Sequence, residues 1–116
     1  MKVSDLIQRL NCKVLAGESQ LGRDVNGGYV CDLLSWVIAH GQSGMALVTV
    51  QTHVNIIAVA SLLDLACVIV PEDIRVDEAA ITKAEEEGVP ILSSSKSAFE
   101  LCGMMYEMGI VGAIRK

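Results

Sequence analysis

The feature that most restricts the fold is an alternation that begins at Met45. Ala46-Leu47-Val48-Thr49-Val50 is an apolar run of strand length, and His53 to Leu63 after it reads as a helix capped by Thr52. Cys67-Val68-Ile69-Val70 is another strand, stopped by Pro71. Asp77 to Glu87 is an acidic helix ended by Gly88, and Pro90-Ile91-Leu92-Ser93 is the next strand. Ser97-Ala98-Phe99-Glu100 has capping-box spacing and opens a last helix through Tyr106 to Gly109. Strands this apolar need cover on both faces. The pattern predicts a single α/β domain over 1–116, three-layered, with a mostly parallel β-sheet flanked by helices.

The first third of the chain extends the pattern less regularly. Met1 to Leu10 reads as a short helix with Ser4 as N-cap, and Lys13 to Ala16 as a strand closed by Gly17. Tyr29-Val30-Cys31 is a second short strand, which joins either the main sheet or a side hairpin with the first strand. Leu33 to His40 is a helix ending at Gly41. The tail, Ile110 to Ile114, is either a final strand or a packed end.

Apolar residues make up 52% of the chain but aromatics only 3%, so the core is aliphatic. The helix His53 to Leu63 is apolar almost all round, and a helix without a polar face needs cover beyond the sheet. A second copy of the chain supplies it in the simplest reading, which makes the protein a homodimer. The methionine-bearing last helix is the alternative surface. A charge at Ala58 or Val59 is expected to break a dimer built on the first of these.

Several function classes are disfavoured. A net charge of −5 argues against nucleic acid, whose binding rests on clustered Lys and Arg. Cys12, Cys31, Cys67 and Cys102 are scattered without a C-x-x-C pair, so no metal site and no cofactor are expected. No apolar run reaches membrane-span length, and no N-terminal signal peptide is evident. The expected setting is cytoplasmic and reducing.

Two stretches carry candidate binding chemistry. In Arg23-Asp24-Val25-Asn26-Gly27-Gly28, the glycines form either a tight turn with positive φ or a backbone nest for an anion, with Arg23 and Asp24 beside it. Asp32 then reads as the cap of the following helix or as an acid. In the second stretch, Thr52-His53 follows a central strand, where open α/β sheets bind ligands. Asn55 and Gln51 add hydrogen-bonding capacity, and Ser94-Ser95 falls on the same sheet edge if the strands are parallel. Together these describe a small site for an anionic metabolite or nucleotide.

The chain resembles the DRTGG domain family. Asp24-Val25-Asn26-Gly27-Gly28 aligns with the name motif, keeping the acid and both glycines but replacing the Arg-Thr pair. Tyr29-Val30-Cys31-Asp32-Leu33-Leu34-Ser35-Trp36-Val37 is similar to the family's Y-V-G-D-L-L-S-W-V segment, with Cys31 at the usual glycine. Val50 to Ile56 and Ala84 to Leu92 also match short, stand-alone members. Such domains occur as regulatory inserts in phosphotransacetylase-like proteins and beside CBS pairs in some pyrophosphatases. The resemblance implies a fold like the N-terminal domain of HPr kinase, and dimerisation.

It does not imply kinase activity, because no G-x-x-x-x-G-K-[ST] phosphate cradle is present. The leading expectation is a non-catalytic regulatory or interaction module, homodimeric, that senses an anionic metabolite or nucleotide. One alternative is a small-molecule enzyme using His53 with Asp24 or Asp32 as acid and base. Another, implied only by members encoded near iron-only hydrogenase subunits, is an accessory protein for a redox enzyme.

Overall fold

The computed structural model describes residues 1–112. Its elements in chain order are α1 (Val3–Leu10), β1 (Lys13–Ala16), a 3-10 turn (Glu18–Gln20), β2 (Gly27–Val30), α2 (Leu34–His40) and β3 (Met45–Val48). They continue with α3 (Val54–Leu63), β4 (Cys67–Val70), α4 (Glu78–Glu87), β5 (Ile91–Ser93) and α5 (Ala98–Glu107). One five-stranded sheet has the order β1-β5-β4-β3-β2. β2 to β5 are mutually parallel, and β1 joins the β5 edge antiparallel, Lys13 opposite Ser93. The expected three-layer, mostly parallel α/β architecture is therefore observed. β2 belongs to the main sheet at the edge far from β1, which settles the placement of Tyr29-Val30.

Period-two alternation divides the strand side chains between two cores. Met45, Leu47, Val68 and Val70 pack beneath α2, α3 and α4, while Ala46, Val48, Cys67 and Ile69 pack beneath α1 and α5. β3 and β4 are buried at every residue, as apolar strands between two helical layers must be. Two helices cover one face and three the other, so the first face is thinly covered near the β2 edge. There the chain after α5 lies against the strand, with Ile110 buried and the Gly28 N–H donating to the Val111 carbonyl at 2.8 Å. The tail is thus a packed end as far as Gly112; the rest of the expected segment lies outside the described residues. Among the described residues, no helix is long and apolar enough to cross a membrane.

Several local expectations are corrected. Ser4 is not an N-cap: α1 begins at Val3 behind Lys2. The N–H groups of Val3 and Ser4 already donate to the carbonyls of Arg23 and Leu21, so the helix start is satisfied by the neighbouring loop. Thr52 does not cap α3 either, because His53 holds the cap position and makes no side-chain cap bond. Asp32 caps nothing; the cap position of α2 falls to Leu33. The capping box at Ser97 and Glu100 is present as read, each satisfying the other's N–H at 3.2 Å. Gly88 ends α4 in the left-handed conformation as expected, whereas Gly41 ends α2 extended. At Gly41 the requirement is space, since a Cβ would sit 2.8 Å from the Val37 carbonyl and 2.9 Å from Leu63.

Helix α3 is not enclosed on both sides in the single chain. Ile56, Ile57, Val59 and Ala60 face the core between α2 and α4, while Val54, Asn55, Ala58, Ser61 and Leu62 face outward. Val59 is therefore a core residue, and a charge there tests folding rather than self-association.

Candidate functional site

The parallel strands give the sheet two distinct ends, and the sequence candidates divide between them. Arg23, Asp24 and Asn26 lie where the strands begin. The Arg23 guanidinium donates to the Leu65 carbonyl at 2.9 Å, to the Asp64 carbonyl at 3.2 Å and to the Asp64 carboxylate at 2.8 Å. Asp64 ends α3 in the left-handed conformation with φ 57°, so Arg23 ties the β2 lead-in to the α3–β4 turn. Asp24 pairs with Lys2 at 2.8 Å, and that ammonium holds the carboxyl below the usual aspartate range. The Asn26 N–H donates to the Gly44 carbonyl at 2.8 Å. All three fasten loops to one another.

Gly27 and Gly28 are strand residues, and neither has positive φ. This corrects both readings of the pair, since a tight turn and an anion nest each need left-handed backbone. The glycines instead admit close neighbours. A Cβ on Gly27 would lie 3.2 Å from the Val111 carbonyl, and one on Gly28 3.2 Å from Ile110 and Met105.

The opposite end, beyond the strand C-termini, carries Asp32, Thr52, His53 and Asn55. Asp32 is a brace: its carboxylate accepts from the Thr49 hydroxyl at 3.2 Å and the Val50 N–H at 3.0 Å. Its carbonyl accepts from the Gln51 side chain at 2.6 Å. His53 Nδ1 lies 2.8 Å from the Asp77 carboxylate, and the Asp77 N–H donates to the Thr52 carbonyl. His53 and Asp77 hold the cap positions of α3 and α4, so this contact joins two adjacent helix starts. Asn55 is exposed on the first turn of α3. The rival acid–base pairing of His53 with Asp24 or Asp32 is not formed, because the histidine's acidic partner is Asp77.

Ser94 and Ser95 do lie on this same end, but their loop leads to α5 on the other face. Adjacent strands whose connections leave to opposite faces normally open a binding crevice. β4 and β5 meet that condition, yet the crevice is laced shut. The Glu72 N–H donates to the Lys96 carbonyl, the Asp73 N–H to the Ser94 carbonyl, and the Ser94 N–H to the Val70 carbonyl. Glu72 and Asp73 are left-handed at φ 58° and 53°, which turns the loop back onto its neighbour. Ser94 is buried and accepts from the Lys96 N–H, whereas Ser95 is exposed.

One feature of the site was not read from the sequence. A cleft of about 280 Å³ opens between the β2 edge and α5, lined by Gly28, Val30, Val48, Met105, Tyr106 and Ile110 among others. It sits where the α1–α5 layer is thin. The Cys31 N–H donates to Val48 on β3 and the Gly28 N–H points outward to Val111. By alternation, the Val30 N–H and carbonyl also point outward from the sheet edge. Val48 and Val30 lead directly into the Thr49–Gln51 and Asp32 brace, so the apolar cleft and the polar strand ends are continuous along the chain. No local sequence signal marks this cleft, because its walls are ordinary core-type residues from β2, β3 and α5.

Three of the four cysteines, Cys12, Cys67 and Cys102, are poor nucleophiles. Burial pushes the Cys67 thiol up to about 12, and burial also raises Cys12 and Cys102.

Fold and site together define a three-layer α/β domain whose sheet is covered on both faces, with polar loops at the strand C-termini. The profile of the DRTGG domain matches residues 5–108, and the chain belongs to that family. No curated protein matches the sequence. Among solved structures, the chain is similar in fold to the CBS and DRTGG domains of the regulatory region of Clostridium perfringens pyrophosphatase, crystallised with its activator diadenosine tetraphosphate. The TM-score is 0.71 at 12% identity, over 90% of this chain and 45% of that one. The chain thus spans less than half of that regulatory region.

Proposed function

We propose that this protein is a regulatory module that binds a nucleotide-type ligand and works as a homodimer, without chemistry of its own. The observation that carries the reading is the cleft between β2 and α5, whose wall residues Val30 and Val48 are followed in the chain by the polar strand ends, in a fold shared with a nucleotide-activated regulatory region. An apolar slot beside the outward N–H and carbonyl of Val30 suits the edge of a planar base. The Tyr106 ring at its mouth offers a stacking surface. The phosphate-bearing part would then extend toward the Thr49–His53 loop, where Thr52, Asn55 and the Nε2 of His53, the ring nitrogen that does not face Asp77, offer polar contacts. Ser95 lies on the same sheet end.

The residues weighed as acid and base favour binding over catalysis. Asp24 is committed to Lys2, Asp32 to Thr49 and Val50, and His53 to Asp77. Raised thiols likewise give no support to a redox accessory role.

The test is a thermal-shift and calorimetric titration of the pure protein with AMP, ATP and diadenosine tetraphosphate. At a hundredfold excess over Kd, binding to the folded state adds about 2.7 kcal/mol of stability. The expected result is a rise in Tm that Tyr106→Ala abolishes, since this exposed ring can be removed without disturbing the core. A shift retained in Tyr106→Ala places the ligand elsewhere, and no shift with any nucleotide refutes the nucleotide reading.

A further inference from the structure

Helices α2 and α3 lie side by side on the three-helix face, and neither contains a single Asp, Glu, Lys or Arg. One chain residue in five is charged, and the neighbouring α4 alone carries Glu78, Lys83, Glu85, Glu86 and Glu87. The uncharged pair is nevertheless far from buried. On α2 only Val37 is fully enclosed, leaving Trp36 and Ile38 exposed; on α3 Val54 and Leu62 are exposed, Leu62 by 73%. Ala58 lies between them on the outer stripe of α3. Exposed tryptophan and aliphatic side chains without charges are the composition of an interface core rather than of a solvated face.

We infer that the α2–α3 face is where two copies of this chain meet. The inference rests on the homodimer reading above and selects its surface. The argument for a second copy is electrostatic. In a twofold interface the same patch meets itself, so any fixed charge near the axis faces its own sign. A chain of net charge −5 pairs with itself most readily through a face that carries no charge. The α4 surface fails this condition through Glu85 and Glu86. The other apolar surface, on α5, exposes Phe99 and Tyr106 but interleaves them with Glu100 and Glu107, which would confront their copies. Among the described residues, the α2–α3 face joins large exposed apolar side chains to two helices without charged residues, with charge confined to its borders, where Glu87 accepts from Ser61 and Asp64 pairs with Arg23. Its position also leaves the β2–α5 cleft, on the opposite face, open in the dimer.

The experiment is light scattering and sedimentation velocity on the full chain and on Leu62→Glu, Ala58→Glu and Phe99→Glu. Circular dichroism checks that each variant is folded. The wild type and Phe99→Glu are expected to be dimers. Leu62→Glu and Ala58→Glu are expected to be folded monomers, their dissociation constants raised at least a hundredfold. Retention of the dimer in both α3 variants, or its loss in Phe99→Glu, overturns this face while the dimer itself survives. A wild type that stays monomeric at every concentration overturns both. Two α3 positions are used so that a folding defect in one leaves the other decisive.

Discussion

Arg23 separates a ligand-binding role from an architectural one, and the structure predicts how its removal will behave. Its guanidinium makes two bonds to main-chain carbonyls, at 2.9 and 3.2 Å, and one charge-assisted bond to the Asp64 carboxylate at 2.8 Å. The Arg23 side chain is mostly buried, whereas that of Asp64 is largely exposed. The ion pair alone is therefore worth well under about 1 kcal/mol. The carbonyl bonds are the larger contribution, because α3 ends there and the Leu65 carbonyl would lose its charged donor. Hydrogen bonds to a charged group contribute about 1.5–3 kcal/mol each, and partial exposure lowers that figure. Arg23→Ala should therefore destabilise by about 2–3 kcal/mol. At this chain length the change in Tm is a fall of about 8–12 °C. Urea unfolding and thermal circular dichroism measure it, and the same sample is then titrated with nucleotide. A double-mutant cycle with Asp64→Asn should return a coupling of no more than about 1 kcal/mol. The expected outcome is lost stability with unchanged affinity. A Tm within 2 °C of wild type, by the same scale about half a kcal/mol, together with lost affinity would refute the reasoning and return Arg23 to the ligand.

Two further predictions concern the core. Gly17→Ala should destabilise by at least about 2 kcal/mol, whereas Gly22→Ala should stay within about 0.5 kcal/mol by urea denaturation. Gly17 has φ 78° and a Cβ there would lie 2.5–2.6 Å from main-chain atoms of Val89 and Pro90, while Gly22 has nothing within 4 Å. Stability should also fall above pH 9, because the folded state holds Cys67 protonated up to about 12 against an ordinary value of 9.0. The unfolded chain releases that proton first. Stability is thus fully present below pH 9 and is lost as pH rises, at about 1.4 kcal/mol per unit. Cys67→Ala should flatten the slope by that amount in parallel denaturant titrations, and an unchanged slope would contradict the assignment.

Much of the architecture was legible because it rests on short-range pattern. The strands Cys67–Val70 and Lys13–Ala16, the helix ended by Gly88 and the box at Ser97 follow from runs, spacings and turn residues within a few positions. Failures cluster where a distant group does what a local residue is expected to do. Ser4 and Thr52 have cap chemistry, but the loop at Leu21–Arg23 satisfies the start of α1, and His53, held by Asp77, takes the cap position of α3. Gly27-Gly28 looks like a turn when read locally, and only the packing of Val111, Ile110 and Met105 shows why side chains are absent there. The candidate site suffered in the same way. Arg23 and His53 were both visible, but no spacing in the sequence places them at opposite ends of the sheet, and none announces the partners Asp64 and Asp77.

The strand order has a consequence for how the chain reaches its native state. β1 emerges early, yet its neighbour in the described sheet is β5, and Lys13 waits for Ser93 before it can pair. From β2 onward each strand instead docks beside the one just completed, through a single intervening helix. Closing the long span is the entropically unfavourable step, although the cost grows only by about 0.6 kcal/mol for each doubling of length. Assembly is therefore expected to start within the β2–β4 units and to finish when the amino-terminal hairpin of α1 and β1 caps the open flank of β5. Until then β5 presents a bare strand edge, the surface through which a nascent chain is most prone to pair with the wrong neighbour.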